Sequence, residues 1–253
     1  MKALLAAIRF LTVVPVPGSW TGDGQKLADS VPFFPAVGLL IGAAAAGVSY
    51  GLSFLLGPFP AAVVLTLFLA AASGALHLDG LSDTADGFFS SRPRERILEI
   101  MRDSRVGSMG VLAIVGILAL KISCLTSLTD VSVRWRILFL VPVAGRTALV
   151  IMIAILPYAR PGGGLGTVFY RNHPALAVFV ALFVLGGIGW GAFGWGGIVI
   201  CEVTVAAILI FALYCRGKIG GATGDTLGAA CELAEMLVLL GGVVIYQIGW
   251  QCL

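Results

Sequence analysis

Residues 61–87 read AAVVLTLFLAAASGALHLDGLSDTADG, an apolar run that passes directly into a cluster of acids. The run from Ala61 to Leu78 contains no Asp, Glu, Lys or Arg, and its length is close to the roughly 20 residues that a helix needs to cross a bilayer. The aspartates that follow, Asp79, Asp83 and Asp86, are spaced four and three residues apart, which places them on one face of a helix. The stretch therefore predicts a membrane span that ends in a carboxylate site.

The composition of the whole chain agrees with this interpretation. Of its 253 residues, 59% are hydrophobic and 11% are charged, and the mean hydropathy is +1.03. A soluble domain has roughly 45–50% apolar and about 25% charged residues. These values exclude an ordinary cytosolic enzyme, a disordered chain and a secreted disulfide scaffold. The five cysteines form no CxxC pair and are interpreted as small buried hydrophobic residues.

We therefore expect an all-α polytopic membrane protein, with residues 1–253 forming one integral membrane catalytic domain. Seven segments are apolar and long enough to be candidate spans: Pro32–Leu56, Ala61–Leu78, Val106–Leu128, Ile137–Leu156, Ala175–Trp190, Ile198–Tyr214 and Ala229–Trp250. The earlier segment Leu4–Val16 is short, contains Arg9 and ends in a proline-rich turn. It is predicted to form an interfacial or re-entrant helix.

The lysines and arginines predict the orientation of these spans. If Leu4–Val16 does not cross, nearly all of them lie on one side, and only Arg134 and Arg136 lie in loops on the other. Cytoplasmic loops of membrane proteins carry the excess of positive charge. Loops 18–31, 79–105, 157–174 and 215–228 are therefore expected together at the cytoplasmic face. The glycine-rich segment 162–166 is a candidate lid in one of these loops.

The acidic cluster predicts a metal site. Asp79, Asp83 and Asp86 would repel one another on one helix face, and a divalent cation would relieve that repulsion. Mg²⁺ binds through one or two carboxylates and completes its coordination with phosphate oxygens and water. His77, two residues before Asp79, is a candidate general base or ligand. The alternatives are a solvated acidic turn or carboxylates paired with arginines, and an interface role for His77.

An arginine-rich segment follows the acids. Ser90, Ser91 and Pro93 predict the start of a helix, and guanidinium groups match the geometry of phosphate oxygens. The segment therefore suits a polyanionic substrate such as a diphosphate. Local Arg–Glu pairing, with the charge serving only topology, is the alternative. The candidate substrate-binding residues here are Arg92, Arg96, Arg102, Asp103 and Arg105.

A second group of candidates lies at residues 220–235. A glycine-rich turn that leads into a helix presents free N–H groups to phosphate, which makes Thr223 and Gly224 candidates for substrate binding. Asp225 is interpreted either as the cap of this helix or, with Glu232, as part of the metal site. Ionisable residues inside a span are functional by default, and for the same reason Arg146 is expected to face a carboxylate or the substrate.

Four motifs resemble those of the cobalamin synthase family, whose members are also called adenosylcobinamide-GDP ribazoletransferases. They are HLDGLSDTADG at 77–87, LEIMRDSRVG at 98–107, FPAVGLLIG at 34–42 and TGDTLGA at 223–229. The resemblance implies a Mg²⁺-dependent phosphotransferase of adenosylcobalamin assembly. It would join adenosylcobinamide-GDP to α-ribazole, or to its 5′-phosphate, and release GMP. It also implies the inner membrane of a prokaryote, with the site facing the cytoplasm.

On this hypothesis the ribazole 5′-oxygen attacks the phosphorus attached to cobinamide, and either His77 or one of the carboxylates Asp79, Asp83 and Asp86 takes the hydroxyl proton. The expected partners are the two substrates and membrane lipid but no nucleic acid, and a homo-oligomer is left open. A CDP-alcohol phosphotransferase is one alternative, but its D-G-x₂-A-R motif would need Ala and Arg where Asp83 and Thr84 stand. A transporter is the other, and it would carry charges along a path near the bilayer midplane.

Overall fold

The computed structural model describes residues 1–21, 24–160, 165–170 and 175–249, and in these ranges the regular structure is helical. A single parallel bridge joins Tyr158 to Ala222. Short 3₁₀ helices span Val31–Phe33 and Leu165–Tyr170. The α-helices are α1 (Lys2–Leu11), α2 (Gly18–Thr21), α3 (Gly24–Ala28), α4 (Phe34–Leu52), α5 (Pro58–Ala72), α6 (Leu76–Phe88), α7 (Arg94–Ile100), α8 (Ser108–Ser127), α9 (Val131–Ile155), α10 (Ala175–Phe193), α11 (Trp195–Ile219) and α12 (Gly224–Gln247).

Six segments among the described residues are long and apolar enough to cross a membrane, which confirms the predicted fold class. They comprise α4 with the 3₁₀ turn before it, and helices α8 to α12. Helix α1 contains 10 residues, so it extends about 15 Å at 1.5 Å per residue. That is half of a hydrocarbon core of about 30 Å, in agreement with the prediction that Leu4–Val16 does not span.

The expected second span differs from the structure at its end. Helix α5 ends at Ala72, and α6 begins at Leu76 with its axis turned by 88°. Gly74 and Ala75 between them have φ values of 60° and 58°, a left-handed conformation that stops an α-helix. The prediction of one continuous span from Ala61 to Leu78 is therefore wrong. The acidic residues lie on a separate helix, and the bent pair counts as a seventh span only if it crosses as a unit.

Helix α9 forms the centre of the bundle. Every residue from Val141 to Ile153 is buried, and α9 packs against α4, α10, α11 and α12. Helix α4 approaches it closely through Gly38 and Gly42, where a Cβ atom would come within 2.6 Å and 2.8 Å of carbonyl oxygens of α9. Small residues at such contacts allow two helix backbones to approach within a membrane. This core fixes the position of α12 relative to its neighbours.

Three of the loops that were expected on one face do lie together at one end of the bundle. The Ala159 N–H donates to the Ala222 carbonyl at 2.8 Å, and Arg94 Nη2 donates to the Ala159 carbonyl at 3.2 Å. Lys218 Nζ donates to the Phe88 carbonyl at 3.2 Å. These bonds join loops 79–105, 157–160 and 215–228. Most of the candidate lid, residues 162–166, lies outside the described residues.

Candidate active site

Helices α6 and α12 bring the two predicted groups of site residues together. A Cβ atom on Gly80 would lie 2.7 Å from the Asp225 carbonyl oxygen, and one on Gly228 would lie 3.1 Å from the His77 carbonyl oxygen. The helices can approach this closely only because both positions are glycine. The N-terminus of α12 therefore packs directly against the helix that carries the acids, although the two are far apart in the sequence.

Asp79, Asp83 and Asp225 form what we call the open carboxylate cluster. Asp79 is exposed and the other two are partly buried. Asp83 is subject to the negative charge of both Asp225 and Asp79. The cation paired with this cluster is Arg160, whose Nη2 donates to Asp225 Oδ2. Within the described residues, no three His, Cys, Asp or Glu side chains converge closely enough to hold a metal ion by themselves.

The start of α12 is capped by a threonine. The Thr223 side chain accepts from the Thr226 N–H at 3.3 Å, and Thr226 Oγ1 accepts from the Thr223 N–H at 2.8 Å. This capping box shows that the capping role proposed for Asp225 is wrong, since Thr223 occupies the N-cap position. Asp225 is thereby left to face Arg160. The capping box uses the Thr226 N–H, which leaves the N–H groups of Gly224 and Asp225 for an anion.

A cavity of about 280 Å³ opens at this junction. Its polar lining comes from the two helices and the segment after α9, with side chains of His77, Asp79, Asp225, Tyr158 and Arg160, and with Gly224 at the start of α12. The imidazole of His77 is 3% exposed, and its Nε2 has no hydrogen-bond partner in the described structure. Buried polar atoms without partners are rare in native structures, so this atom is a candidate contact for a ligand.

The remaining wall of the cavity is apolar and aromatic. Phe10 of α1, Phe34 of α4 and Phe169 of the second 3₁₀ helix line it, together with Leu149 and Ile153 of α9. The three rings pack on one another, with centroid separations of 4.9 Å for Phe10–Phe169, 5.6 Å for Phe34–Phe169 and 6.3 Å for Phe10–Phe34. One cavity thus combines charged groups and an aromatic surface.

Asp86 has a different role from its two neighbours on α6. Its carboxylate accepts from the backbone N–H of Gly107 at 2.7 Å and of Gly110 at 2.8 Å. Gly107 is the N-cap of α8, so Asp86 supplies the acceptors that the first turn of α8 lacks. Both oxygens are committed to this helix start, which favours a structural role for Asp86 in place of the metal and catalytic roles expected from the sequence.

The intramembrane charges form a second group, which we call the buried ion cluster. Lys121 Nζ lies 2.7 Å from both Glu232 Oε2 and Glu235 Oε2, and Arg146 Nη1 lies 2.6 Å from Glu235 Oε1. The expectation that Arg146 faces a carboxylate is therefore confirmed. The four side chains are 2–5% exposed and do not line the cavity. The contacts favour structural roles for Glu232 and Arg146, in place of the metal and substrate roles expected from the sequence.

The arginines after α6 divide into paired and unpaired residues. Arg96 pairs with Glu99 at 2.6 Å on the surface of α7, and Arg105 pairs with Asp103 at 2.6 Å. Hydrogen bonds from Arg105 lower the pKa of Asp103 to about 2. Arg92 and Arg102 are exposed and make no ion pair with another described residue.

Comparison with known proteins identifies the family. A family model described as Cobalamin-5-phosphate synthase matches residues 3–243. The chain belongs to this family. It is 40% identical over 250 residues to an adenosylcobinamide-GDP ribazoletransferase of Herpetosiphon aurantiacus, covering 98% of this chain and 99% of the relative. A protein of the same name from Desulforamulus reducens is 39% identical over 244 residues, covering 95% and 97%. No solved structure matches the chain.

The structure of this cobalamin-5-phosphate synthase family member contains residues that the sequence analysis missed, both in the site and in the buried ion cluster. Arg160 was assigned only to a positive loop, although it lines the cavity and pairs with Asp225. Lys121 was overlooked inside a predicted span, where a lone lysine signals a buried partner. Phe10, Phe34 and Phe169 had no signal of their own, because isolated phenylalanines in a membrane protein are ordinary.

Proposed function

We propose that the chain joins adenosylcobinamide-GDP to a ribazole nucleoside or its 5′-phosphate and releases GMP. The observation that carries this proposal is the cavity in which Asp79 of α6, Arg160 and the N-terminus of α12 with Asp225 meet. Such a combination of groups suits a diphosphate substrate that is cleaved between its two phosphates. Catalysis of phosphoryl transfer depends mainly on positioning the reactants and on neutralising their charge. Family membership over nearly the whole chain supports the same reaction.

The open carboxylate cluster fits a magnesium ion. Oxygen ligands are those that Mg²⁺ prefers, and it needs only one or two carboxylates when substrate phosphates complete its coordination. The absence of a three-carboxylate cage among the described residues is therefore compatible with such a site. Asp79, Asp83 and Asp225 would hold the ion, because among the described residues only Arg160 is seen to offset their mutual repulsion. When bound, Mg²⁺ supplies charge neutralisation at the transferred phosphate.

The protein's own groups would bind and orient the substrates. The N-terminus of α12 at Gly224 binds a phosphate oxygen through backbone N–H groups. Arg160 leaves Asp225 to contact the diphosphate, and the exposed Arg92 and Arg102 approach the same anion. His77 accepts the proton of the attacking hydroxyl at Nε2, a role supported by its place in the cavity wall and its lack of a partner.

The bonds that form and break follow from the product. A ribose hydroxyl of the ribazole forms a new O–P bond to the phosphorus that carries cobinamide, its proton passes to His77, and the bond from that phosphorus to the oxygen of GMP breaks. The family description, Cobalamin-5-phosphate synthase, implies a product whose 5′-position bears a phosphate. We therefore replace the 5′-oxygen expected from the sequence with another ribose hydroxyl as the nucleophile.

The proposal includes the location of the site. Most of the positive charge lies in the loops at the end of the bundle that carries the cavity. By the positive-inside rule, this end faces the cytoplasm. The bacterial relatives support the cytoplasmic membrane of a prokaryote.

The test is turnover by the purified protein in detergent. We expect GMP release when adenosylcobinamide-GDP, α-ribazole or its 5′-phosphate, and Mg²⁺ are all present, and no release when any one of them is omitted. A CDP-alcohol and its acceptor serve as the control pair. CMP release from that pair without GMP release from the first would overturn the proposal in favour of a phospholipid enzyme.

A further inference from the structure

We propose that the aromatic wall of the cavity is the subsite for the benzimidazole ring of the ribazole substrate. The proposal rests on the function proposed above and names the part of one substrate that this wall receives. Phe10, Phe34 and Phe169 form the wall, and Leu149 and Ile153 extend it.

The size of the cavity indicates which of the two substrates can enter it. At about 280 Å³, it lies just below the range for small-molecule pockets, roughly 300–1,000 Å³. A nucleoside with a bicyclic base is of this scale. A corrin macrocycle with its side chains is much larger, and the described walls leave no room for it. The cavity therefore receives the smaller substrate, while the corrinoid remains outside its mouth.

The chemistry of the wall also indicates which of the two aromatic bases in the substrates, guanine or dimethylbenzimidazole, it can bind. Guanine carries donors and acceptors along its edge, and burying them against phenylalanine and aliphatic side chains would leave them unpaired at a considerable cost. A dimethylbenzimidazole ring presents methyl groups and two π-faces, with one ring nitrogen free. It can pack against the rings of the wall with only that one nitrogen left to be paired, far fewer polar atoms than guanine would bury. The wall thus favours ribazole over the guanosine part of the other substrate.

The connection to the polar lining supports this orientation. With the base against Phe10, Phe34 and Phe169, the attached ribose would extend towards the elements that carry His77 and Asp79. A ribose hydroxyl would then be within the same cavity as the groups assigned to proton transfer and phosphate binding. Phe10 becomes a specificity-determining residue for the base.

Equilibrium binding to the purified full chain tests the subsite separately from turnover. α-Ribazole and GMP are titrated, without corrinoid or Mg²⁺, into wild type and into Phe10→Ala. Because stacking of a base on an aromatic side chain is substantial, we expect α-ribazole to bind roughly tenfold more weakly to the variant and GMP to change by less than about twofold. Phe10→Leu keeps most of the volume but removes the ring, and it serves if the alanine variant does not fold.

Phe68→Ala is the matched control. Phe68 is also a partly buried phenylalanine packed against the core, but it does not line the cavity, so this variant should bind α-ribazole as wild type does. Equal weakening of α-ribazole and GMP, or unchanged α-ribazole binding in both Phe10 variants, would overturn the subsite. Phe10-dependent binding by a wild type that releases no GMP would support the subsite and overturn the proposed function.

Discussion

Helix α12 contributes to two groups of acids whose surroundings are opposite in charge balance. In the buried ion cluster, Glu232 and Glu235 face Lys121 and Arg146, so two negative charges meet two positive charges. In the open carboxylate cluster, Arg160 is the one cation that the described part of the chain sets against Asp79, Asp83 and Asp225. The first group is neutral and closed to solvent, whereas the second carries excess negative charge at a cavity.

This difference in charge balance indicates which acids stabilise the fold and which are available for binding and catalysis. An unpaired charge inside a protein or bilayer is expensive, so cations from the same chain must accompany intramembrane acids. Acids left without enough cations are tolerated near solvent, and they are available to a cation that arrives with the substrate. The sequence alone did not separate the two groups, because both consist of closely spaced carboxylates near one end of a span.

The largest expected effect is on turnover when an acid of the open cluster is removed. Asp83→Asn should lower kcat by roughly a thousandfold, since a bound metal supplies several kcal/mol of transition-state stabilisation. The thermal midpoint of the purified protein should stay equal or rise, because the repulsion from Asp79 and Asp225 is relieved. GMP release and a melting curve in detergent measure the two quantities.

Asp29→Asn is the control for this variant. Asp29 lies after α3, with Lys26 at 3.3 Å, and does not line the cavity. We expect it to retain wild-type turnover. If Asp83→Asn retained more than about a tenth of the wild-type rate, the assignment of the open cluster to the metal would be lost.

The buried cluster should show the reverse pattern, with stability affected most. Lys121→Met leaves two carboxylates with one arginine in an enclosed site, and breaking a buried ion pair in this way costs about 3–5 kcal/mol. Lys121→Met combined with Glu232→Gln leaves the Arg146–Glu235 pair balanced. The double variant should therefore melt at a higher temperature than the single variant, with the Mg²⁺ concentration for half-maximal rate unchanged.

That comparison can fail in an informative way. If the double variant were less stable than Lys121→Met alone, the charge-balance explanation would be incorrect. If Glu232→Gln alone raised the Mg²⁺ requirement while leaving the melting temperature intact, Glu232 would return to the metal site predicted from the sequence.

Much of the fold followed from hydropathy, because each long apolar segment has few other options in a bilayer. The exception was the segment 61–78, where Ser73-Gly74-Ala75 divides two helices at 88°. One glycine inside an apolar helix is common in membrane proteins, so it did not predict a break. The left-handed conformation of Ala75 is uncommon for a residue with a Cβ atom, so the sequence pattern does not predict it.

Only part of the candidate site could be predicted from the sequence, because contacts between helices decide the rest. The α6 aspartates and the start of α12 were evident because charges and glycines are conspicuous in an apolar chain. Their separation from Glu232 required knowing that Lys121 of α8 reaches across to α12. Asp86 gave no sign in the sequence that it caps α8, because its spacing matches that of Asp79 and Asp83.

A smaller effect is expected at Asp86. Replacing it with alanine removes the acceptor for the Gly107 and Gly110 N–H groups, and leaving buried donors unsatisfied costs about 1–3 kcal/mol. Asp86→Ala should therefore lower the melting temperature, and Asp86→Asn, which keeps one acceptor, should lower it less. Neither variant should change the Mg²⁺ concentration at half-maximal rate. A raised Mg²⁺ requirement in Asp86→Asn would place this carboxylate with Asp79 and Asp83 instead.

The smallest effect should be at Arg105, which is exposed and committed to Asp103. Exposed ion pairs contribute little, so Arg105→Gln should change KM for adenosylcobinamide-GDP by less than about twofold, whereas Arg160→Gln, in the cavity wall, should raise it far more. The pH dependence follows from the pKa of Asp103, which Arg105 lowers to about 2 in the folded protein. A lowered carboxyl pKa stabilises the folded state above the pKa of the unfolded chain, and this stabilisation is lost only as the pH falls through the folded value. At neutral pH the pair is fully formed, and Arg105→Gln should have the same pH–rate profile as wild type. A tenfold rise in KM would instead show that Arg105 leaves Asp103 to bind the diphosphate, as the sequence alone suggested.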